Sequence, residues 1–137
     1  MSAPARLEVR VYYEDTDLAG IVYHANYLKF FERGRTEALR ALGIGQEALR
    51  AESGLVFAVT RMEIAFRAPA RLDDVLTVET RLEVLRHASF DMAQTIRRDE
   101  TLLCTASVAI ACLDASLRPA RLPAVLRTTL DQMLPKG

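Results

Sequence analysis

The sequence predicts an α+β domain in which one long helix is wrapped by a curved antiparallel sheet of about five strands. Three observations carry this. Between Tyr27 and Leu42 the apolar residues recur at three and four, the helix period. From Leu55 to Cys112 they recur at two, the strand period. Short polar segments separate the period-two stretches, and short connections favour antiparallel neighbours.

The elements follow in chain order. Leu7, Val9 and Val11 alternate with Glu8, Arg10 and Tyr12, a half-buried strand. Tyr13 to Ala25 is acidic, contains Gly20, and reads as loop. Asn26 suits a helix N-cap, where its side chain accepts a bond from a free first-turn amide. Tyr27, Phe30, Phe31, Gly34, Ala38, Leu39 and Leu42 then form one apolar stripe, and Gly43 is a C-terminal stop. A weaker helical piece spans Gln46 to Glu52, with a turn at Ser53-Gly54. In the next strand Ala58, Thr60, Met62, Ile64 and Phe66 are expected on one face, against Val59, Arg61 and Glu63. Pro69 ends it and Leu72-Asp73-Asp74 turns. Leu76 to Val84, Phe90 to Ile96 and Leu102 to Cys112 supply three more strands, separated at Arg86-His87-Ala88 and Arg98-Asp99-Glu100. The last is apolar on both faces and is expected to be covered on both. Ala124 to Met133 is a short terminal helix.

Bulk properties narrow the function. At 137 residues the chain is expected to be one domain, 1–137. Half the residues are hydrophobic, enough for a core without disulfide staples. The formal net charge is zero, which argues against a nucleic-acid binder, since phosphate neutralisation needs basic excess. No run of 18 apolar residues suggests a membrane helix, and MSAPARLEV lacks a signal-peptide core, so a cytoplasmic protein is expected. Cys104 and Cys112 on one strand would stand about 26 Å apart at roughly 3.3 Å per residue, beyond disulfide reach. They are expected to be buried thiols. Nucleotide-binding glycine loops, the GxSxG elbow and HExxH are missing. Asp15 and Asp17 lack the further oxygen ligands of a calcium loop, so no metal is expected.

The stretch Tyr12 to Leu42 concentrates the chemistry. Glu14, Asp15 and Asp17 crowd its start, with one of two histidines, His24, and the chain's only asparagine, Asn26. Asp17 just before a helix is either a structural cap or a catalytic carboxylate. Gly20 permits a tight turn or close approach of backbone to ligand. His24 is either a hydrogen-bonding core residue or a site residue. Tyr12, Tyr13, Tyr23 and Tyr27 read as packing residues with a polar tip. Glu32 reads as a solvated or ion-paired acid.

The run DTDLAGIVYHANYLKFFERGRTEALRALG resembles the 4-hydroxybenzoyl-CoA thioesterase-like family of hotdog proteins, most of all its YbgC branch of Tol–Pal-associated acyl-CoA thioesterases. FRAPARLDDVLTVETRL and HASF continue the resemblance more loosely, so it covers most of the chain. The resemblance implies a hotdog fold, with the helix enclosed by the sheet. It implies hydrolysis of an acyl-CoA to a free acid and CoA by a homo-oligomer, dimer or tetramer, with sites between subunits. Asp17 matches the catalytic carboxylate, as nucleophile or general base, and the His24 amide matches the group that polarises the thioester carbonyl. His24 itself matches the branch histidine and is the second catalytic residue expected. Substrate contacts are implied at Gly20, Ile21, Val22, Tyr23, Asn26, Val59, Thr60, Arg86, His87 and Ser89. Arg86 and His87 fall in the turn matching the CoA-phosphate segment, where Ala88 replaces a basic residue of some relatives. Glu14 and Asp15 remain loop or surface groups. No cofactor is implied, because CoA belongs to the substrate; cell-envelope or lipid-synthesis proteins are the implied partners. Acyl specificity is expected to depend on Tyr13, Leu18, Phe57, Val59 and Thr60 across a subunit interface. Two alternatives stay open. A 3-hydroxyacyl dehydratase of this fold would yield an enoyl thioester, and a binding or scaffold module would hold CoA without releasing thiol.

Overall fold

The structure is a computed structural model that describes residues 4–135. The ends of the expected 1–137 domain, and the first three residues of the segment read for a leader, lie outside the described residues. The elements are β1 (Ala5–Arg10), a 3₁₀ turn (Tyr13–Asp15), α1 (Asn26–Ala41), α2 (Gln46–Ser53), β2 (Val56–Phe66), β3 (Val75–Leu85), β4 (Ser89–Arg98), β5 (Thr101–Leu113) and α3 (Ala124–Asp131).

α1 turns Tyr27, Phe30, Phe31, Gly34, Ala38 and Leu39 into the core. They meet Leu76, Val78 and Leu82 of β3, Phe90, Met92 and Ile96 of β4, and Cys104, Val108, Ile110 and Cys112 of β5, all buried. This is the hotdog arrangement, a helix held in the hollow of one antiparallel sheet. Gly34 marks a close approach of α1 to β3. A Cβ there would lie 2.6 Å from Val78 Cγ1, so only glycine lets α1 sit this low. Beside it Gln94, 1% exposed, donates to the Phe31 carbonyl and the Thr80 hydroxyl at 2.9 Å each. It accepts from the Arg35 guanidinium at 3.0 Å, so the one amide is saturated in both senses.

Two expectations are corrected. β3, β4 and β5 are antiparallel neighbours in chain order, but β2 is not beside β3: the sheet runs β1-β3-β4-β5-β2, with β2 antiparallel to β5 at one edge and β1 antiparallel to β3 at the other. Residues 67–74 are too long for a hairpin turn and instead carry the chain past the N-terminus of α1. The faces of β2 also differ from strict alternation. A bulge between Val59 and Arg61 resets the register, so Phe57 and Val59 oppose Cys112 and Ile110 on the helix side with Met62 and Ile64. Ala58 and Thr60 turn to the outer face, where the Thr60 hydroxyl donates to the Ala109 carbonyl at 3.3 Å. An extra residue inverts the alternation, and composition gives no sign of it.

Cys104 and Cys112 both lie on β5, buried and unpaired with each other. On the outer face of β5, Thr105, Ala109 and Ala111 are half-buried and Ser107 is exposed. Among the described residues no helix is long and apolar enough to cross a membrane.

Candidate active site

The acidic segment folds into a compact loop because its acids and glycine serve local bonds. The Asp17 amide donates to the Ile21 carbonyl at 2.9 Å and the Gly20 amide to the Asp17 carbonyl at 3.0 Å. Gly20 has φ +79°, a conformation that disfavours any side chain. Asp17 Oδ1 accepts the Ala19 amide at 2.9 Å, an Asx-type turn that orients the carboxylate while leaving it exposed. Two further bonds pin the loop to the fold: Tyr23 N–H to the Asp15 carbonyl and Val22 N–H to the Ala70 carbonyl, both 2.9 Å.

Asp15, expected as a loop or surface group, lies in the loop but not at the surface. It is 7% exposed, and its carboxylate accepts the Tyr12 amide at 2.8 Å and the Asn26 side-chain amide at 3.0 Å. Asn26 in turn does not cap α1. The cap position belongs to Ala25, without a side-chain bond, because Asn26 is already inside the helix and spends its amide on Asp15. The acid and the asparagine thus lock the loop to the helix entry.

At that entry the Asn26 amide donates to the Tyr23 carbonyl at 2.8 Å. The amides of His24 and Ala25 make no hydrogen bond among the described residues. Unbonded amides at the positive end of a helix favour negative charge. The His24 ring stacks at a tilt on Tyr23, 4.5 Å between centroids, and meets Phe66 edge-on at 6.5 Å. Asp17, Ile21, Val22, His24 and Tyr27 line one side of an open cleft of about 330 Å³; Phe66, Arg67, Ala68 and Pro69 line the other. The crossover after β2 therefore supplies a wall of the cleft, and sequence reasoning missed it. Pro69, where period two stops, was the available signal.

The sequence profile of the thioesterase-like superfamily matches residues 11–130. The chain belongs to that superfamily. Among its relatives in the superfamily, the acyl-CoA thioesterase YbgC of Haemophilus influenzae is 41% identical over 126 residues, 91% of this chain and 93% of that protein. The acyl-CoA thioester hydrolase YbgC of Escherichia coli is 46% identical over 120 residues, 86% and 89% respectively. Of solved structures, a probable thioesterase from Bartonella henselae superposes with a TM-score of 0.85 at 45% identity, over 88% of this chain and all of that one. A 1,4-dihydroxy-2-naphthoyl-CoA thioesterase from Synechocystis, at 23% identity and a TM-score of 0.87, shares the fold.

The remaining candidate residues of this superfamily member lie elsewhere in the chain. Gly20 shapes the loop tip and Tyr23 backs His24, while neither lines the cleft. Val59 lines a second cavity of about 230 Å³ between α1 and the sheet, with Glu32, Arg35, Thr36, Leu39, Gln46, Phe57, Phe90 and Ile110. Burial holds the Arg35 guanidinium below its usual range there. Glu32, left open between solvation and ion pairing, accepts the Thr36 hydroxyl at 2.6 Å. Arg86, His87 and Ser89 sit around the β3–β4 turn. Arg86 is engaged by Asp91 through two bonds of 2.8 Å, which hold the Asp91 carboxyl below the usual carboxylate range. Among the described residues no group of three or more His, Cys, Asp or Glu is arranged to hold a metal.

Proposed function

We propose that the protein hydrolyses acyl-CoA thioesters to a carboxylic acid and CoA. One observation carries the reading: the exposed Asp17 carboxylate and the entry of α1, with its unbonded His24 amide, border the same cleft. A thioester carbonyl lying there would develop negative charge on oxygen beside the amide, and one such donor is worth about 3 kcal/mol in transition-state stabilisation. Asp17 would then attack the carbonyl carbon, forming a mixed anhydride that water opens, or take a proton from attacking water. CoA leaves as a thiolate, so it needs little acid assistance. His24 would orient water or the carboxylate. The acyl-CoA thioesterase activity of the two YbgC relatives supports the same substrate class.

The working unit in this proposal is a homo-oligomer, dimer or tetramer. β2 is an edge strand, and its Val59 and Phe66 are 47% and 53% exposed. They stand about 23 Å apart at roughly 3.3 Å per residue, too far to serve one cleft in one protomer. Antiparallel pairing of two β2 edges about their centre would bring the Val59 and Thr60 end of one copy toward the Asp17 cleft of the other. The small outer face of β5 offers a second packing surface. Arg86, His87 and Ser89 are the proposed CoA contacts, with Arg86 exchanging Asp91 for phosphate. A cytoplasmic location and cell-envelope or lipid-synthesis partners complete the reading, and no cofactor is needed.

Thiol release from a panel of acyl-CoAs tests it. Stoichiometric free acid and CoA are expected. An enoyl thioester without thiol would turn the assignment toward a dehydratase, and CoA binding without turnover would turn it toward a sensor.

A further inference from the structure

Tyr27 contributes to the cleft a phenol that the reaction above leaves unused. It sits in the first turn of α1 with 4% of its surface exposed. Phe30 at 6.3 Å and Phe66 at 5.4 Å hold its ring edge-on, so packing fixes where the hydroxyl lies. The oxygen accepts the Ala70 amide at 3.1 Å. A phenol also has a proton to donate, and no acceptor for it is present among the described residues. A buried donor without a partner is costly, and Tyr27 lines the open cleft together with Asp17 and His24. An N–H donated to the phenol oxygen polarises the O–H and makes it a stronger donor.

We propose that the Tyr27 hydroxyl donates a hydrogen bond to the attacking water and holds it against the Asp17 carboxylate. This rests on the hydrolysis proposed for the Asp17 cleft, in its general-base form. The water oxygen accepts from Tyr27 with one lone pair and bonds to the carbonyl carbon with the other. Its proton passes to Asp17, the C–S bond breaks, and Asp17 returns that proton to the CoA sulfur. Tyr27 keeps its own proton throughout. The charged and titratable groups around it are Asp17 and His24 on the loop, Arg67 after β2, Arg98 at the end of β4 and Cys104 on β5. Burial pushes the phenol's pKa up, and the Asp17 charge acts in the same direction against the Ala70 amide and Arg98, so the donor stays protonated at neutral pH.

The test is thiol release against pH for wild type, Tyr27→Phe and a protein carrying 2,3-difluorotyrosine at position 27. Tyr27→Phe keeps the ring packing, and kcat is expected to fall roughly tenfold to a hundredfold with little change in KM, because the water loses its orientation. That variant also strips Ala70 of its acceptor. The fluorinated residue keeps the oxygen and that bond but ionises at lower pH, so the alkaline limb of kcat is expected to move down in pH. A purely structural tyrosine would not move the limb. Unchanged kcat in Tyr27→Phe, or coincident alkaline limbs for the fluorinated and wild-type proteins, overturns the inference. Absence of thiol release by the wild type would instead remove the thioesterase reading and this inference with it.

Discussion

Asp15 and Asp17 stand two residues apart in opposite surroundings. Asp15 is buried with both carboxylate oxygens engaged, whereas the Asp17 side chain is exposed and its carboxylate accepts, among the described residues, the Ala19 amide alone. Replacing Asp15 by alanine leaves a backbone amide and the Asn26 side chain without acceptors. The expected loss is about 1–3 kcal/mol, read as a lower urea midpoint at unchanged slope. Asp17→Asn is expected to change stability on the same measurement by no more than about 0.5 kcal/mol, as for most exposed positions. In the sequence the two acids look alike, and family spacing singles out Asp17. Nothing local reveals that Asp15 reaches Asn26, because that bond closes only when the 3₁₀ turn folds back on the helix entry. The cap expectation for Asn26 fails for the same reason: cap preference describes isolated helix ends, and here a buried carboxylate takes the side-chain amide.

Among elements, α1 lies close on β3 at Gly34. Gly34→Ala is expected to cost about 1–3 kcal/mol, since the new methyl meets Val78 well inside contact distance and the helix must rise from the sheet. Thermal unfolding of that variant checks it, and a Tm equal to wild type would mean that α1 shifts freely. Helix and strand periods made α1, β3, β4 and β5 legible, because each buries a regular face. The placement of β2 was not legible. Pairing it with β5 instead of β3 depends on where residues 67–74 cross, and its bulge at Thr60 depends on pairing with β5. Both features bear on the site, since the crossover walls the cleft and the bulge turns Val59 inward. Long-range pairing carries no local signal, whereas periodicity does.

For the whole molecule, two properties are open to direct measurement. The first is alkaline stability. Burial pushes the Cys104 thiol up to about 12, and Cys112 and Tyr27 are raised mainly by burial too. The unfolded chain ionises cysteine from about pH 8.5, so the stability these groups contribute is present below that pH and is lost as pH rises toward 12. Urea midpoints are expected to fall from pH 8 to pH 10.5, and Cys104→Ala, less stable at pH 8, is expected to fall less steeply. The second is mass. The protein weighs 15.3 kDa per chain, and light scattering is expected to give a dimer or tetramer, with the β2 edge protected from amide exchange. A protected β2 edge would join the Val59 cavity of one copy to the Asp17 cleft of the next, which is how separate surfaces would become one site. The most direct test of the account is thiol release from acyl-CoA by wild type and Asp17→Asn, compared at equal mass in solution and equal thermal stability. Wild type is expected to release CoA and Asp17→Asn to lose about 10²–10⁴-fold in kcat. Hydrolysis by Asp17→Asn at the wild-type rate would contradict it.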